Sequence, residues 1–383
     1  MSKIITYFIF LIQSLLFLTI IPDLLLILVS KLKKPQTSNN NKNLTTYLFL
    51  IPAYQDKFET LLRNVNAILN LNYPKDKIKI ILIADCLDNF NESKLPKILK
   101  VLKVNLEVHS KINSLKSTLS EIPQEIDFIV ILDSDNIIHP EFLIEVSKLT
   151  DRFKVIQGKR VPLNIYSKFA VIDSLSDLVY EKIDHYYPSL LNLSSTITGS
   201  GFVIARNLFL KIIPGINVLG GFDKILQSIL TLKNIKIGYA PSAIVYDQKV
   251  NTADVYVRQR KRWIYYYFYN AIKYGFKIFL KGLSTFNLNK IYMGLKSLRP
   301  PFGLVGFAYL CFTILSLFLN KFLFHVSIIF FKAFVTYILI LLFDTNQLKW
   351  KVIQSLPILI VNQLKAFFTM YDARKDSLKT KHN

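Results

Sequence analysis

The chain has 383 residues, of which 51% are hydrophobic, and its mean hydropathy of +0.33 is high for a soluble protein in which 19% of residues are charged. Its 48 basic and 26 acidic residues give a net charge of +22, which favours an anionic partner such as a nucleic acid, a lipid surface or a phosphorylated substrate. The two cysteines, Cys86 and Cys311, are far apart and lack metal-ligand neighbours in sequence, so they support neither a disulfide framework nor a zinc site.

The N-terminal region contains an apolar run, Ile4–Val29, of about the length that spans a bilayer. A signal peptide is the alternative, but no small-residue cleavage site follows the run, which is long for a signal peptide. Within it, Asp23 either acts inside the membrane or reaches the interface. Three lysines follow the run: Lys31, Lys33 and Lys34. By the positive-inside rule we expect a transmembrane helix over 1–34, a linker over 35–45 and a cytoplasmic domain beyond, in a bacterial-type inner or plasma membrane.

Between residues 46 and 263, apolar strand-like runs alternate with helical patterns, which is typical of an α/β fold with a mostly parallel sheet flanked by helices. We predict strands at Tyr47–Ile51, Ile78–Ala84, Asn105–Val108, Phe128–Leu132, Ile235–Ala240 and Ala243–Asp247. We predict helices at Phe58–Leu71, Pro140–Asp151 and Asp223–Leu232. Because polar, mostly acidic loops follow three of the strands, the functional site is expected at the carboxyl ends of the sheet.

The sequence Asp133-Ser134-Asp135 follows the predicted strand Phe128–Leu132. Side chains alternate along a strand, so Asp133 and Asp135 are expected to project to the same side. Paired carboxylates at the end of a parallel strand suit a hard divalent cation that also carries phosphate oxygens. An ordinary polar loop is the alternative, because loops after strands are rich in Asp.

Beyond residue 263, tyrosines and phenylalanines alternate with lysines, which is typical of helices lying along lipid headgroups, and we expect interfacial helices over 264–300. Stacking of nucleic-acid bases on these tyrosines is the alternative, and the neighbouring apolar runs disfavour it. Two further runs, Phe302–Leu319 and Phe322–Phe343, predict two transmembrane helices within 301–344. An interface or re-entrant helix and a basic cytoplasmic tail are expected within 345–383.

Several groups of residues stand in a fixed order between Tyr47 and Trp263. They are Pro52-Ala53-Tyr54-Gln55-Asp56, Asp85, Lys111, Asp133-Ser134-Asp135, Gly199-Ser200-Gly201, Asp223 and Gln259-Arg260-Lys261-Arg262-Trp263. The set resembles the membrane-bound family 2 glycosyltransferases, which include cellulose, hyaluronan and chitin synthases and ceramide glucosyltransferases. The resemblance implies a GT-A fold with transmembrane helices at both ends, and inverting transfer of a sugar from a nucleotide sugar, usually a UDP-sugar.

The resemblance also implies a role for each matching position. The residues expected to bind the nucleotide sugar are Ala53, Tyr54, Asp56, Asp85, Lys111, Asp133, Ser134, Gln259 and Arg262. The residues expected near the acceptor are Gly199, Ser200, Gly201 and Trp263. Asp133 and Asp135 would hold Mg²⁺ or Mn²⁺, and Asp223 would be the general base.

Some positions depart from the family pattern or have a second interpretation. The family's base usually follows a Glu, whereas Phe222 precedes Asp223, which could instead complement a helix dipole. Gly often follows the family's basic stretch but is missing after Lys111, so this residue is either a donor contact or a surface lysine. The Gln259 and Arg262 side chains could belong to a solvated helix face, and Trp263 could anchor at the membrane interface.

The leading functional hypothesis is an inverting, metal-dependent, membrane-bound glycosyltransferase in cell-surface polysaccharide or glycolipid synthesis. Its acceptor is either a growing polymer or a membrane lipid. The expected partners are a nucleotide sugar, a glycan or lipid acceptor and the lipid bilayer, with no nucleic acid. The alternatives are a non-enzymatic basic membrane scaffold or nucleic-acid-binding protein, and a phosphotransferase or nuclease that uses the Asp pair; the latter leaves the Trp263 motif unexplained.

Overall fold

The computed structural model describes residues 2–30, 32, 44–87, 95–96, 98–345 and 350–374. Most of the expected linker at 35–45 and the expected basic tail beyond 374 lie outside these residues. The chain divides into two compact units, which are described separately. The sheet unit contains Pro35–Ile165 and Asp184–Val250, and the helical unit contains Met1–Lys34, Tyr166–Ile183 and Asn251–Ala373.

Within the described residues, eight strands form one sheet in the sheet unit. The strands are β1 (Tyr47–Tyr54), β2 (Ile78–Asp85), β3 (Leu99–Val104), β4 (Phe128–Ile131), β5 (Ile137–Ile138), β6 (Val155–Pro162), β7 (Phe202–Ala205) and β8 (Ile237–Asp247). Their order is β3-β2-β1-β4-β7-β6-β8-β5. Four pairings (β1–β2, β2–β3, β1–β4 and β6–β8) are parallel, whereas β7 runs antiparallel to β4 and β6, and β5 antiparallel to β8. The α/β prediction is confirmed, with a mixed sheet.

The central strands are those with the most continuous apolar sequence. All residues of Tyr47–Ile51 in β1 and of Ile80–Asp85 in β2 are buried, as expected for strands covered on both faces. The helices of this unit are α3 (Phe58–Leu69), α4 (Lys111–Lys116), α5 (Phe142–Ser147), α7 (Tyr187–Leu190), α8 (Arg206–Ile212) and α9 (Phe222–Leu232). Helix α3 buries Leu61, Val65 and Ile68, which confirms the predicted helical spacing.

Three predicted elements of the sheet unit were wrong in position or extent. The strand predicted at Asn105–Val108 is not a strand, because β3 occupies Leu99–Val104 and pairs only with β2 among the described residues. Helix α5 ends at Ser147, well before Asp151. The two strands predicted between residues 235 and 247 are one strand, β8, in which a bulge opposite the Gly158–Lys159 step interrupts the apolar pattern.

The helical unit holds the remaining long helices. They are α1 (Ser2–Leu18), α2 (Ile21–Ser30), α6 (Lys168–Glu181), α10 (Ala253–Asn270), α11 (Phe276–Ser284), α12 (Leu288–Leu298), α13 (Phe302–Leu319), α14 (Lys321–Asp344) and α15 (Trp350–Phe368). Among the described residues, three segments are long and apolar enough to cross a membrane: Lys3–Ser30, Phe302–Leu319 and Lys321–Asp344. The first is divided into α1 and α2, since Pro22 cannot donate the backbone hydrogen bond that would continue α1.

A buried charge cluster joins three helices of the helical unit. Asp23 of α2 is fully buried and forms ion pairs with Lys296 of α12, at an N–O distance of 2.7 Å, and with Arg299, which directly follows α12. The hydroxyl of Tyr337 in α14 donates a hydrogen bond to the same carboxylate at 2.8 Å. The Asp23 carboxylate therefore faces the protein interior. Two cations and a hydroxyl there compensate the energetic cost of burying its charge.

Candidate active site

The paired carboxylates lie in a turn that follows β4. The strand ends at Ile131, and the Asn136 N–H donates to the Asp133 carbonyl at 3.1 Å, so the strand alternation assumed for the pair does not extend to these residues. Asn64 of α3 donates a side-chain hydrogen bond to the Asp133 carbonyl at 3.0 Å. The turn is therefore held by the helix that follows β1.

Burial and neighbouring charge act strongly on Asp135. Burial, followed by the charges of Asp133 and Asp247, raises the pKa of Asp135 to about 7. Asn136 connects two of these groups, since its side-chain N–H group donates to Asp135 at 3.2 Å and to Asp247 at 3.0 Å. Asp133 and Asp135 offer the hard oxygen ligands that Mg²⁺ and Mn²⁺ prefer, and a bound cation would favour their ionised forms. The residues present therefore fit a divalent cation.

Asp247, the last residue of β8, lies in a buried ion-pair network. It pairs with Arg160 of β6 and with Lys249, whose Nζ is 2.6 Å from the carboxylate. Burial would raise the pKa of Asp247, but the charges of Arg160 and Lys249 outweigh burial and hold this pKa well below its ordinary value. Asp247 thus stays ionised behind the Asp133–Asp135 turn and fixes Asn136.

The antiparallel pairing of β4 and β7 brings the Gly199–Gly201 turn against the Asp133–Asp135 turn. Ile131 pairs with Phe202, so the residues before β7 lie beside those after β4. Ser200 Oγ accepts a hydrogen bond from the Asp133 N–H at 2.9 Å and donates one to Asn136. Both glycines have left-handed φ angles, 84° for Gly199 and 64° for Gly201, which other residues rarely adopt.

Lys111 and Asp223 approach the same glycine turn. Lys111, at the start of α4, forms an ion pair with the Asp133 carboxylate and donates to the Gly199 carbonyl at 2.8 Å. Asp223 lies in the first turn of α9, and its carboxyl carbon would be 3.9 Å from a Cβ atom built on Gly199. The structure thus brings Asp133, Lys111, Gly199 and Asp223 together around one turn.

A second group of expected residues lies at the ends of β1 and β2. Asp56 accepts hydrogen bonds from the Tyr54 N–H at 3.0 Å and from Ser134 Oγ at 2.9 Å, so it connects this group to the carboxylate turn. The strand register pairs Tyr54 with Asp85, and Ala53 is buried one position earlier. The Asp85 side chain is buried, and its Oδ2 atom accepts a hydrogen bond from His109 Nδ1 at 2.8 Å.

The three remaining predicted residues, Gln259, Arg262 and Trp263, lie on α10 in the helical unit. Their neighbour Arg260 is buried, forms an ion pair with Asp173 of α6, and lies over the Trp263 ring at 4.4 Å. This pair fixes one face of the indole, while 37% of the Trp263 residue surface remains exposed. One face of the Trp263 ring is therefore covered by Arg260, and part of the side chain remains accessible to solvent or a ligand.

Sequence reasoning missed several residues that build this site. They are Asn64, Cys86, His109, Asn136, Gln157, Arg160, Asp247 and Lys249. Gln157 of β6 illustrates why, since its amide group donates to the Ser200 and Gly201 carbonyls, 43 and 44 residues away in sequence. A usable signal existed for Asn136, which directly follows the Asp pair, and for Asp247, which ends a predicted strand.

Comparison with known proteins gives the family. A family model described as "Glycosyltransferase like family 2" matches residues 45–266. The "Probable glycosyltransferase YdaM" of Bacillus subtilis (strain 168) is 26% identical over 256 residues, which are 60% of this chain and 57% of that protein. The chain thus spans little more than half the length of this curated relative.

Two solved structures are also similar. The mannosyltransferase PcManGT from Pyrobaculum calidifontis, in complex with GDP-Man and Mn²⁺, has a TM-score of 0.60 at 13% identity, over 94% of this chain and 98% of that chain. S. aureus TarS 1-349, in complex with UDP-GlcNAc, has a TM-score of 0.39 at 16% identity, over 57% and 65% of the two chains. The first supports the GT-A fold, and the family model covers more than half of the chain. The chain belongs to glycosyltransferase family 2, whose members are nucleotide-sugar-dependent transferases.

Proposed function

We propose that the protein is a membrane-bound, metal-dependent glycosyltransferase. It would transfer a sugar from a nucleotide sugar, a UDP-sugar by its motifs, to a glycan or lipid acceptor with inversion at the anomeric carbon. The observation that carries this proposal is the grouping of Asp133, Lys111 and Asp223 around Gly199, beyond the carboxyl end of β4. The Lys111 ammonium group, which can neutralise an anion, and the Asp223 carboxylate, which can act as a base, then both lie beside the Gly199 turn.

The carboxylate turn would bind the diphosphate of the donor. Asp133 and Asp135 are the residues that would hold Mg²⁺ or Mn²⁺, and the ion when bound neutralises charge that develops on the leaving diphosphate. Lys111 already contacts Asp133, so its ammonium group adds positive charge at the same place. Ser200 and Asn64 bind the backbone of the turn and keep the carboxylates in position.

Asp223 would act on the acceptor. Its carboxylate takes the proton of the acceptor hydroxyl as that oxygen bonds to the anomeric carbon and the carbon–oxygen bond to the diphosphate breaks. A base within hydrogen-bond reach contributes typically about 10²–10⁴ in rate. The position of Asp223 beside Gly199, where no side chain intervenes, supports this role over a purely helix-terminal one.

The remaining predicted residues would complete the binding of both substrates. Tyr54, Asp56 and Asp85 would contact the nucleoside of the donor, and Gln259, Arg262 and Trp263 would contact the diphosphate and acceptor. PcManGT binds GDP-Man and TarS binds UDP-GlcNAc, so both GDP- and UDP-sugars belong in a donor screen. The three candidate spans and the lysines after the first support a membrane protein with its active site in the cytoplasm.

Donor turnover tests this function. The full-length protein in nanodiscs would receive a panel of UDP-, GDP- and dTDP-sugars with Mg²⁺ or Mn²⁺, and nucleoside diphosphate release would be measured. We expect release with one donor, loss of release with EDTA, and loss in Asp133→Ala. Asp151→Ala, which removes an exposed carboxylate after the end of α5, is the matched control and should retain full activity.

Two results would contradict the proposal. One is release that persists in Asp133→Ala or in EDTA, which would remove the metal-binding role of the pair. The other is the absence of metal-dependent nucleotide binding in a direct titration of the folded protein. Product analysis then separates the two acceptors, since a ladder of lengths indicates polymer extension and a single lipid-linked product indicates a lipid acceptor.

A further inference from the structure

A second cluster of potential metal ligands lies where β2 ends. Asp85, Cys86 and His109 each offer one ligand atom, and these atoms all lie within 4.8 Å of one another. Its ligands differ from the oxygen-only pair of Asp133 and Asp135, because they include a thiol and an imidazole. We propose that the Asp85–Cys86–His109 cluster binds a thiophilic divalent cation, Zn²⁺ being the ion that its ligands suit best.

The spacing within the cluster is close to that of a metal site. Cys86 Sγ lies 4.0 Å from His109 Nε2, and His109 Nδ1 lies 2.8 Å from Asp85 Oδ2. Zinc holds sulfur at about 2.3 Å and nitrogen at about 2.0–2.1 Å, so such atoms on one tetrahedral ion are about 3.5 Å apart. An imidazole gives an ion only one of its two nitrogens, so the 2.8 Å contact is a hydrogen bond and not a spacing between two ligands. One ligand atom from each of the three residues lies within 4.8 Å of the others, so side-chain rotations would close the cluster on an ion, with one coordination position left for water or another ligand.

An independent observation at Asp85 also points to a cation. Its residue surface is only 1% exposed, and its Oδ1 atom has no hydrogen-bond partner among the described residues. A buried acceptor without a partner destabilises the folded state, and a charged one does so more strongly. A cation at the cluster would satisfy this oxygen without disturbing β2, which holds Asp85 as its last residue.

The geometry around the cluster keeps it accessible and aimed. Cys86 and His109 are only partly buried, and Cys86 has a φ angle of 49°, which is rare for a residue other than glycine. The Tyr54 ring stacks on the His109 ring with centroids 4.6 Å apart, which fixes the plane of the imidazole. Thiolate and imidazole ligands select Zn²⁺ or Co²⁺ over Mg²⁺ and Mn²⁺, so the two sites would take different ions.

Occupation of the cluster has a consequence that rests on the proposed function. Tyr54 and Asp85 are the residues expected to contact the nucleoside of the donor. An ion bound to Asp85 and His109 would withdraw the Asp85 carboxylate from the nucleotide. It would also restrict Tyr54, whose ring stacks on His109. Zn²⁺ is therefore expected to inhibit sugar transfer in competition with the donor.

Cobalt provides a direct spectroscopic test of the site. Co²⁺ would be titrated into the full-length Cys311→Ser protein in detergent with excess Mg²⁺, and the thiolate-to-cobalt charge-transfer absorption would be recorded. We expect a saturable band with one Co²⁺ per chain that Zn²⁺ abolishes. Cys311→Ser removes the other cysteine of the chain, which is exposed on α13, so any band then comes from Cys86.

Three further variants make the result decisive. Cys86→Ser in this background should lose the band, and His109→Gln should weaken Co²⁺ binding at least about tenfold. Asp133→Ala should keep the band, because it alters only the oxygen site. Absence of the band in the Cys311→Ser protein, or its persistence after Cys86→Ser, would overturn the proposal.

Kinetics with the active donor separate this inference from the proposed function. Zn²⁺ should raise the donor KM of the Cys311→Ser protein several-fold, and the same addition should leave the KM of Cys86→Ser, Cys311→Ser unchanged. Normal turnover without a cobalt band would reject the cluster alone. A cobalt band without turnover of any donor and without metal-dependent nucleotide binding would support the cluster and reject the glycosyltransferase proposal.

Discussion

The Asp223 carboxylate lies in the first turn of α9 and close to Gly199. We expect Asp223→Asn to lower kcat by about 10²–10⁴-fold, because an amide cannot accept the acceptor proton. Donor affinity should be unchanged, since Asp223 would act on the acceptor. Nucleoside diphosphate release and a donor titration would measure the two quantities.

The control for Asp223 is Asp254→Asn, which removes an exposed acidic residue from the first turn of α10. Both substitutions take a negative charge from a helix N-terminus, but only Asp223 borders the glycine turn. Equal losses of kcat in the two variants would assign Asp223 a helix-terminal role and argue against it as the base.

Asp247 is the residue whose loss should most damage the folded state of the sheet unit. Asp247→Asn would leave the buried Lys249 and the partly buried Arg160 without their shared carboxylate. Removing one partner of a buried ion pair costs about 3–5 kcal/mol. We expect that loss in the free energy of unfolding by denaturant titration, and a loss below about 1 kcal/mol would contradict the network. Asp127→Asn, at an exposed hydrogen-bonded site, is a comparison.

Within the Gly199–Gly201 turn, the second glycine, Gly201, is the one that a larger residue could replace least easily. A Cβ atom on Gly201 would lie 2.9 Å from a Val245 methyl group, at a φ angle of 64°. We expect Gly201→Ala to destabilise the fold by about 1–3 kcal/mol and to lower activity, because Ser200 would no longer hold Asp133. A thermal melt and the release assay would measure both effects.

Gly215→Ala is the matched control for the turn. Gly215 lies in the same unit, and a Cβ atom there would meet nothing within 4 Å among the described residues. Its substitution should leave activity unchanged and stability nearly so. If Gly201→Ala behaved like Gly215→Ala, the close approach of β8 to the turn would have no functional importance.

Strands with a continuous apolar sequence could be predicted from the sequence. An edge strand and a strand interrupted by a bulge could not be predicted correctly. Strands β1, β2 and β4 are buried on both faces, so their sequences carry the signal directly. The edge strand β3 carries Lys100 and Lys103 on exposed positions, which hide it, and the bulge in β8 divides its pattern. Local sequence records burial well, but it does not record which strand lies at an edge.

The residues of the candidate site also differ in whether the sequence alone could identify them. Asp133, Asp135 and the glycine turn could be found because neighbouring residues make each motif. Asp247 itself ends a predicted strand, but its ion pairs could not be found, since Arg160 is 87 residues from it and reaches it only through the parallel pairing of β6 and β8. Cys86 and His109, 23 residues apart, likewise meet only in the folded chain.

At the scale of the whole molecule, three apolar helical segments predict a specific membrane topology. If the sheet unit is cytoplasmic, as we propose, the short connection between α13 and α14 should face the opposite side of the membrane. We expect Asn320→Cys, in the Cys311→Ser protein, to react with a membrane-impermeant maleimide in intact cells. Asn320 is exposed at this connection.

Ser284→Cys is the matched control for topology, because it is exposed at the end of α11. It should react only after the cells are made permeable. Labelling of both positions from outside would contradict the cytoplasmic orientation, and labelling of neither in permeable cells would contradict the exposure of these sites.

The Asp23 cluster can form only after most of the chain has been synthesised. Asp23 bonds to Arg299 and Tyr337, which lie 276 and 314 residues later, so its partners leave the ribosome long after the first helix. At synthesis rates of about 5–20 residues per second, that delay is on the order of tens of seconds. During it, the first apolar segment carries the Asp23 carboxylate without these partners, and a carboxylate within a bilayer is energetically costly. Translation therefore completes the sheet unit before the helical unit can close, and a truncated chain ending before α12 would leave its own first helix poorly anchored.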